Sequence, residues 1–564
     1  MKGRIFPRCI LILNLCFGFA FGTVAAEEKA AADDRFARID ALLSGETPHQ
    51  KCGTGDLLFL KEHRENARDD HLELLKTYAQ RPALTDSYVS ANGNFRIHYT
   101  LAGNDAVPTE STNPDGVPDF VYEAAIAAEN SYDLLVNTYG FRPHNPDGGV
   151  DGQEFDIYFV DIAIYYGLTS SEFVDGKRSA YLEIENDFAG GFFTEGLDAV
   201  RVTVAHEYFH AVQFAYNYRN SREQFFFEMS AVWFEDDAYP EINDYLQYLP
   251  VVFRQLDRPL HFQDGWHEYG ISIFFKYWVD TQGVASFQSM WEGYAEVAPI
   301  TAIVNEVETK KASFADALAE FYTWCLYTRT RAVEGEFFDD AILYPDVGVR
   351  NSFTVLNDTT FADSTRALSG RFYDIETDAS KNFSATTAAA FPGGFRLAGA
   401  PQDLSGDLGV SNIVVENAPY VLTVTENEGR VNLVVVNGNI PENPAGSANS
   451  LDHEVFNVGL SLREIELGGD GFQTIRPNPF NLRENSVVAI SYNLPETADV
   501  TIAVVTEAGQ RLVESLEGRK PAGPNQFVWD GNNAAGEQAP GGIYFVILQT
   551  DSGFNDATKL AVVR

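Results

Sequence analysis

Cysteine is scarce in this 564-residue sequence: there are four, and Cys9 and Cys16 fall in an apolar stretch near the start. Only Cys52 and Cys325 lie beyond it, which excludes a disulfide framework and leaves stability to packed cores. Basic residues are short as well, 40 against 81 acidic ones, for a formal net charge of −41. Such a surface repels nucleic acid and anionic membranes, so neither is expected as a partner. It suits a soluble extracellular protein in a salty or calcium-containing medium. Past the first stretch, no apolar run reaches the roughly 18 residues of a membrane span. What is present is enough to fold: 45% of residues are hydrophobic and 13% aromatic, over a length that suggests three or four domains.

The first 26 residues have the layout of a secretory signal peptide. Lys2, Arg4 and Arg8 precede an apolar core from Cys9 to Phe21, and small residues lead to a cleavage point after Ala26. The mature chain is therefore expected outside the cell or at its surface. In an exported chain the default for Cys52 and Cys325 is to pair with each other.

The richest stretch runs from Arg201 to Gln213 and carries His206-Glu207-x-x-His210. Residues four apart share a helix face, so both imidazoles can meet one zinc ion while Glu207 stands ready to take a proton from its water. Val200, Val202, Val204, Phe209, Val212 and Phe214 flank the motif, so the helix is expected to be buried. Two histidines and a glutamate are costly there unless they bind something. Catalytic zinc takes a third protein ligand. Glu228 is the candidate, at the head of a helical segment that Pro240 stops, with Glu235 two turns on as the fallback ligand or as a carboxylate orienting a histidine.

This layout resembles the gluzincins, the thermolysin- and aminopeptidase-like zinc peptidases, whose third ligand is a Glu on the next helix. The 17 residues between His210 and Glu228 make a slightly shorter gap than in that group. The resemblance implies a helical lobe closing the zinc cleft and contributing a Tyr or His to steady the oxyanion. The segments Trp266–Trp278 and Phe314–Trp324 would form that lobe, with Tyr269 the first choice for the role and His267 the second.

Upstream, residues 27–92 read as a pro-segment or N-terminal strap, helix-prone around Arg35–Leu43 and Asn66–Tyr78. Strand alternation begins at Phe95, so the zinc domain is expected over 93–335, with a helix from Phe120 to Tyr139 and strands at Phe155–Val160 and Ala180–Asn186. The last of these is expected to be the edge along which an extended substrate is laid. Two loops, Asn113–Asp119 and Asn145–Asp151, offer hard oxygens from Asn113, Asp115, Asp119, Asp147 and Asp151. These suit calcium, with plain turn chemistry as the alternative. His98, His144, His261 and His453 show no ligand spacing.

From about 336 the helical period gives way to alternating strands such as Tyr420–Thr425 and Val431–Val436, which indicates a β-sandwich over 336–466. A Gly-rich junction at Leu467–Gly471 follows. In 472–564, the motifs Arg476–Asn481, Ile490–Pro495, Ala508–Gln510, Trp529–Gly531 and Gly541–Phe545 occur in order. They resemble the Ig-like domain named after the flagellar hook-capping protein, a pattern shared with the sorting domains of type IX secretion. The resemblance implies contact with secretion machinery or a cell surface.

Phe95–Tyr99, Gly116–Asp119, His206–Gln213 and Ala231–Asp236 together resemble a family of secreted bacterial metalloproteases first noted in myxobacteria, over roughly residues 48–333. The expected fold is thus a multidomain chain: an α+β zincin-like catalytic domain with a helical lobe, an all-β sandwich and a C-terminal Ig-like sandwich. The expected function is a secreted zinc endopeptidase acting on protein or peptide. The alternative is a non-catalytic surface or adhesion protein on a relic peptidase fold. Lys51-Cys52-Gly53-Thr54 adds a weaker likeness, to the matrix-metalloprotease pro-segments whose thiolate fills the open zinc position.

Overall fold

The computed structural model describes residues 29–563 except 79, 163, 312, 334, 378–380, 390–393, 403–411, 415–419, 425–428, 442–450, 452, 465–469, 477, 484–486 and 507–508. The leader expected over 1–26 lies outside the described residues, as do Pro477, Ala508 and most of the Gly-rich junction. Described chain forms two compact units, one ending at Leu462 and one beginning at Arg463. Among the described residues no helix is long and apolar enough to cross a membrane.

The first unit opens with helix α1 (29–43), strand β1 (Gln50–Cys52) and helices α2 (Thr54–Glu62) and α3 (Asp69–Thr77). Then come β2 (Asp86–Val89), β3 (Phe95–Tyr99), α4 (Asp119–Tyr132), β4 (Phe155–Val160), β5 (Tyr165–Val174) and β6 (Lys177–Glu185). The expected helix to Tyr139 instead passes into a π-helical turn at Asp133–Thr138. The six strands form one mixed sheet in the order β1-β5-β6-β4-β3-β2. Strands β3, β4 and β6 run parallel, and β6 turns back on β5.

Two expectations change here. The strand over 180–186 is not an edge: β6 lies between β5 and β4, because the hairpin that leads into it places β5 outside. The outer edge of β5 is covered in turn by β1, paired parallel in the register Gln50 to Tyr165 and Cys52 to Gly167. The N-terminal segment is thus woven into the sheet and is not a strap outside a domain starting at 93. Ile39, Leu42, Leu57, Phe59 and Leu60 share a core with Ile162, Tyr165 and Leu168, and that apolar burial holds the segment in place.

On the sheet lies α5 (Gly196–Gln213), packed on β5, β6, α4 and the following helix α6 (Gln224–Ala238). From Val202 to Gln213 every α5 residue is buried, as expected of a helix apolar on nearly all sides. Gly167 permits the close approach of β5, since a Cβ there would lie 2.7 Å from Thr203 and 3.0 Å from Glu207. Beyond α6 are α7 (Leu249–Val252), α8 (His267–Gly270), α9 (Ile273–Gln282), α10 (Val284–Tyr294), α11 (Pro299–Lys310) and α12 (Phe314–Trp324). The helix expected over Trp266–Trp278 is therefore broken after Gly270, whose bare Cα abuts Val252 and Tyr248.

The strands that follow make two sheets. One is ordered Tyr420–Val424, Lys381–Ala389, His453–Glu464, Thr359–Arg366; the other Asn412–Val414, Phe395–Gln402, Arg430–Asn437, Ser369–Glu376, Val349–Thr354. Leu433 and Val435 face the core between the sheets, while Val434 and Val436 join the helical lobe's core. Burial on both faces explains the unbroken apolar run at Val431–Val436. The sandwich is thus fused to the lobe, and Arg396 pairs with Asp316 of α12.

The second unit has a three-stranded sheet (Gly471–Arg476, Val488–Leu494, Gly523–Trp529) and a five-stranded one (Phe480–Asn481, Asn555–Val563, Gly542–Thr550, Ala498–Thr506, Arg511–Lys520). Its core holds Ile490, Tyr492, Ile502, Val546, Leu548 and Trp529, whose indole N–H donates to the Asn532 carbonyl at 2.8 Å.

Candidate metal centre

Helix α5 presents His206 and His210 on one face, and α6 brings Glu228 against them. His206 Nε2 lies 3.1 Å from His210 Nε2 and 3.1 Å from Glu228 Oε2, and His210 Nε2 lies 3.5 Å from the same oxygen. A tetrahedral zinc with bonds of 2.0–2.1 Å sets its ligand atoms about 3.3 Å apart, so this triangle has the size such an ion requires. The outer nitrogens point the same way: His206 Nδ1 donates to Glu235 Oε1 at 2.6 Å and His210 Nδ1 to Gln213 Oε1 at 2.7 Å. The Gln213 amide is fixed by its own donation to the Phe227 carbonyl at 3.0 Å. With hydrogens at Nδ1, both Nε2 lone pairs and a carboxylate oxygen converge on one point, an arrangement that needs a cation. The proton is the competitor. Burial lowers the His206 pKa, but Glu228 and Glu235 outweigh it and push it up to about 10.

Cys52 completes the group: a ligand atom from each of Cys52, His206, His210 and Glu228 lies within 4.8 Å of the others. The expected Cys52–Cys325 disulfide is absent, and both are buried free thiols. The reason is placement. Register with Gly167 carries Cys52 to the histidines, while Cys325 caps α12 inside the lobe core. Burial, then Glu207 and Glu228, pushes the Cys52 thiol well above its usual range, so only a cation would make it a thiolate ligand.

Glu207 is fully buried. Its Oε2 accepts from Thr169 Oγ1 at 2.7 Å and Thr54 Oγ1 at 3.1 Å, while Oε1 has no partner. Tyr269 reaches the site, its ring stacked 6.3 Å from His206 and 5.1 Å from Tyr248. His267 does not. Two residues away on a single helical turn it points elsewhere, its ring 5.7 Å from Phe262, and burial holds its pKa down at about 4. Of the two glutamates, Glu228 meets His206 at Nε2 within the four-residue group, and Glu235 meets it at Nδ1 outside that group.

The loop carboxylates read as calcium ligands have protein partners, and Asp151 also brings a ligand atom within 4.8 Å of ones from His98 and Asp156. Asp147 and Asp156 accept from the Arg81 guanidinium, and Asp151 accepts from Tyr158 at 3.3 Å. In the other loop Asn113 and Thr112 donate to Asp119, and Tyr88 donates to Asp115. The carboxylates serve as turn caps and ion-pair partners.

Sequence reasoning gave no role to Gln213, Thr54, Thr169 or Lys51, although Lys51 and Thr54 flank the Cys52 it singled out and Gln213 lies one turn after His210 on the same face.

Two families match the chain. Residues 83–329 match a family described as of unknown function, DUF6055. Residues 479–553 match the FlgD Ig-like domain, in keeping with the C-terminal resemblance. No curated protein matches the sequence. Among solved structures, PorZ, described as an essential bacterial surface component of the type IX secretion system of Porphyromonas gingivalis, is 17% identical over 19% of this chain and 14% of its own, with a TM-score of 0.14. FlgD from P. aeruginosa is 26% identical over 15% of this chain and 64% of its own, with a TM-score of 0.13. The chain thus spans a small part of PorZ, and at these TM-scores neither likeness bears on fold or activity.

Proposed function

We propose that the chain is a secreted zinc endopeptidase on a zincin-like scaffold, seen here with its site closed by its own N-terminal segment. The observation that carries this reading is the convergence of two Nε2 lone pairs and Glu228 Oε2 beside a buried Glu207 with a free oxygen. A zinc ion held by His206, His210 and Glu228 would supply Lewis acidity and an acidified water. The chain's own residues do the rest. Thr169 fixes Glu207 Oε2, and the unpartnered Oε1 is the oxygen to take a proton. Tyr269 is the hydroxyl to steady a developing oxyanion. Secretion rests on the leader-like first 26 residues, and a surface or secretion contact on the FlgD Ig-like match.

A second reading draws on Cys52. Four protein ligands make a closed site, the layout of structural zinc. Glu207 weighs against it, since a structural site gains nothing from a buried carboxylate with an orphan oxygen, which costs about 1–3 kcal/mol. The test is zinc content together with casein digestion. His206→Ala should lose metal and activity, whereas Glu207→Gln should keep metal and lose activity. Undiminished digestion by Glu207→Gln would sink the mechanism, and full zinc with no digestion by any form of the wild-type chain would favour the structural reading.

A further inference from the structure

With β1 in place, His206, Glu207 and His210 are fully buried and Glu228 is 1% exposed, so no peptide reaches them until residues 50–54 move. Those residues engage the site as a peptide would. Gln50 N–H donates to the Ile164 carbonyl and Gly53 N–H to the Gly167 carbonyl, both at 3.0 Å, extending the sheet edge. Cys52 stands at the ligand point, and Thr54 accepts from Thr169 N–H at 2.7 Å while donating to Glu207. Gly53 fits because its Cα lies against the Tyr165 ring, where a Cβ would come within 2.8 Å. The DUF6055 match begins at 83, past this segment.

Lys51, next to the ligand-facing residue, is the most informative. Its side chain is fully buried, with Nζ 2.9 Å from Glu235 Oε2, 3.0 Å from Asp244 Oδ2 and 4.8 Å from the Tyr166 ring centre. Asp244 also accepts from Thr194, and Glu235 holds His206. Once β1 departs, two carboxylates remain in a buried, ring-walled pocket beside the metal point. Such a pair needs a cation of the size it was built around.

Resting on the peptidase reading above, we propose that residues 50–54 occupy the place of the substrate. On this proposal the Glu235–Asp244–Tyr166 pocket is the subsite for a primary ammonium beside the bond to be cut. A lysine side chain and the free amino end of a peptide share this chemistry.

The pocket is tested without activity in the full-length Lys51→Ala chain. n-Butylammonium should raise its thermal unfolding midpoint saturably, n-butanol should not, and Lys51→Ala/Asp244→Asn should lose the response. An equal response to both compounds overturns the pocket. Specificity is read on two forms, so that a misfolded variant leaves the other: full-length Cys52→Ser, and the wild-type chain cut after folding at a protease site placed in the Arg81–Thr85 connector. The probes are fluorogenic peptides with lysine or norleucine at one position, each with a free or acetylated amino end. Ammonium-bearing peptides should show at least about tenfold higher kcat/KM, and the ratio should collapse with Asp244→Asn. A preference lost on acetylation assigns the ammonium to the amino end, and one kept assigns it to lysine. Equal cleavage of all four peptides overturns the subsite and leaves the peptidase reading standing. No cleavage by either zinc-loaded form overturns both, even where butylammonium stabilises Lys51→Ala.

Discussion

Glu228 and Glu235 sit two turns apart on α6 and meet the same imidazole at opposite nitrogens, one at Nε2 and the other at Nδ1. Their loss should therefore differ in kind. On the proposed zinc site, Glu228→Ala removes a ligand and should leave no stoichiometric zinc by metal analysis. Glu235→Gln still accepts from His206 Nδ1 but loses the charge that makes the imidazole a strong ligand, and zinc affinity should fall about 10–100-fold in a competition titration. Full zinc in Glu228→Ala with none in Glu235→Gln would exchange the two roles. The shared face of His206, Glu207 and His210 was legible because a helix fixes their spacing. Which of two glutamates faces the Nε2 atoms was not, since both lie on one face of α6 and only its docking against α5 separates them.

At the level of elements, β6 carries an acid inside the sheet layer. Glu183 is 2% exposed, and burial pushes its pKa up to about 8 against a hydrogen bond from Ser170 at 3.0 Å. The folded chain thus keeps Glu183 protonated where the unfolded chain ionises it from about pH 4.5 upward. The unfolded state then binds fewer protons, so stability should fall as pH rises from about 4.5 to 8 and level off above. Glu183→Gln should match the wild type at pH 4 and unfold at a higher temperature at pH 8, by up to a few kcal/mol of stability. Equal midpoints at both pH values would refute a protonated Glu183. Strand β6 itself was legible from its alternation, but its interior place was not. Edge or interior is decided by which strands pair on either side, here β5 from the preceding hairpin and β4, and β5 is covered in turn by β1 across more than a hundred residues.

For the whole molecule, the division at Leu462 and Arg463 gives the second unit a core of its own. On the proposed function, a chain ending near 466, past the strand His453–Glu464, should keep zinc content and peptide hydrolysis while losing its place outside the cell. Loss of hydrolysis with unchanged circular dichroism would refute this independence. The sandwich before it should not be separable in the same way, because Val434 and Val436 belong to the lobe's core and Arg396 pairs with Asp316. Sequence alone determined what is local: the His206–Glu207–His210 face, the buried character of α5, the α-to-β change near 336 and the ordered Ig-like motifs. These follow from periodicities of 3.6 and 2, which neighbouring residues carry by themselves. Only the tertiary structure decided that Cys52 joins the histidines instead of Cys325, that Lys51 meets Asp244 across 193 residues, and that Arg81 fills the loop read as a calcium site. Those contacts depend on how strands are ordered and cores docked, and no spacing along the chain encodes them.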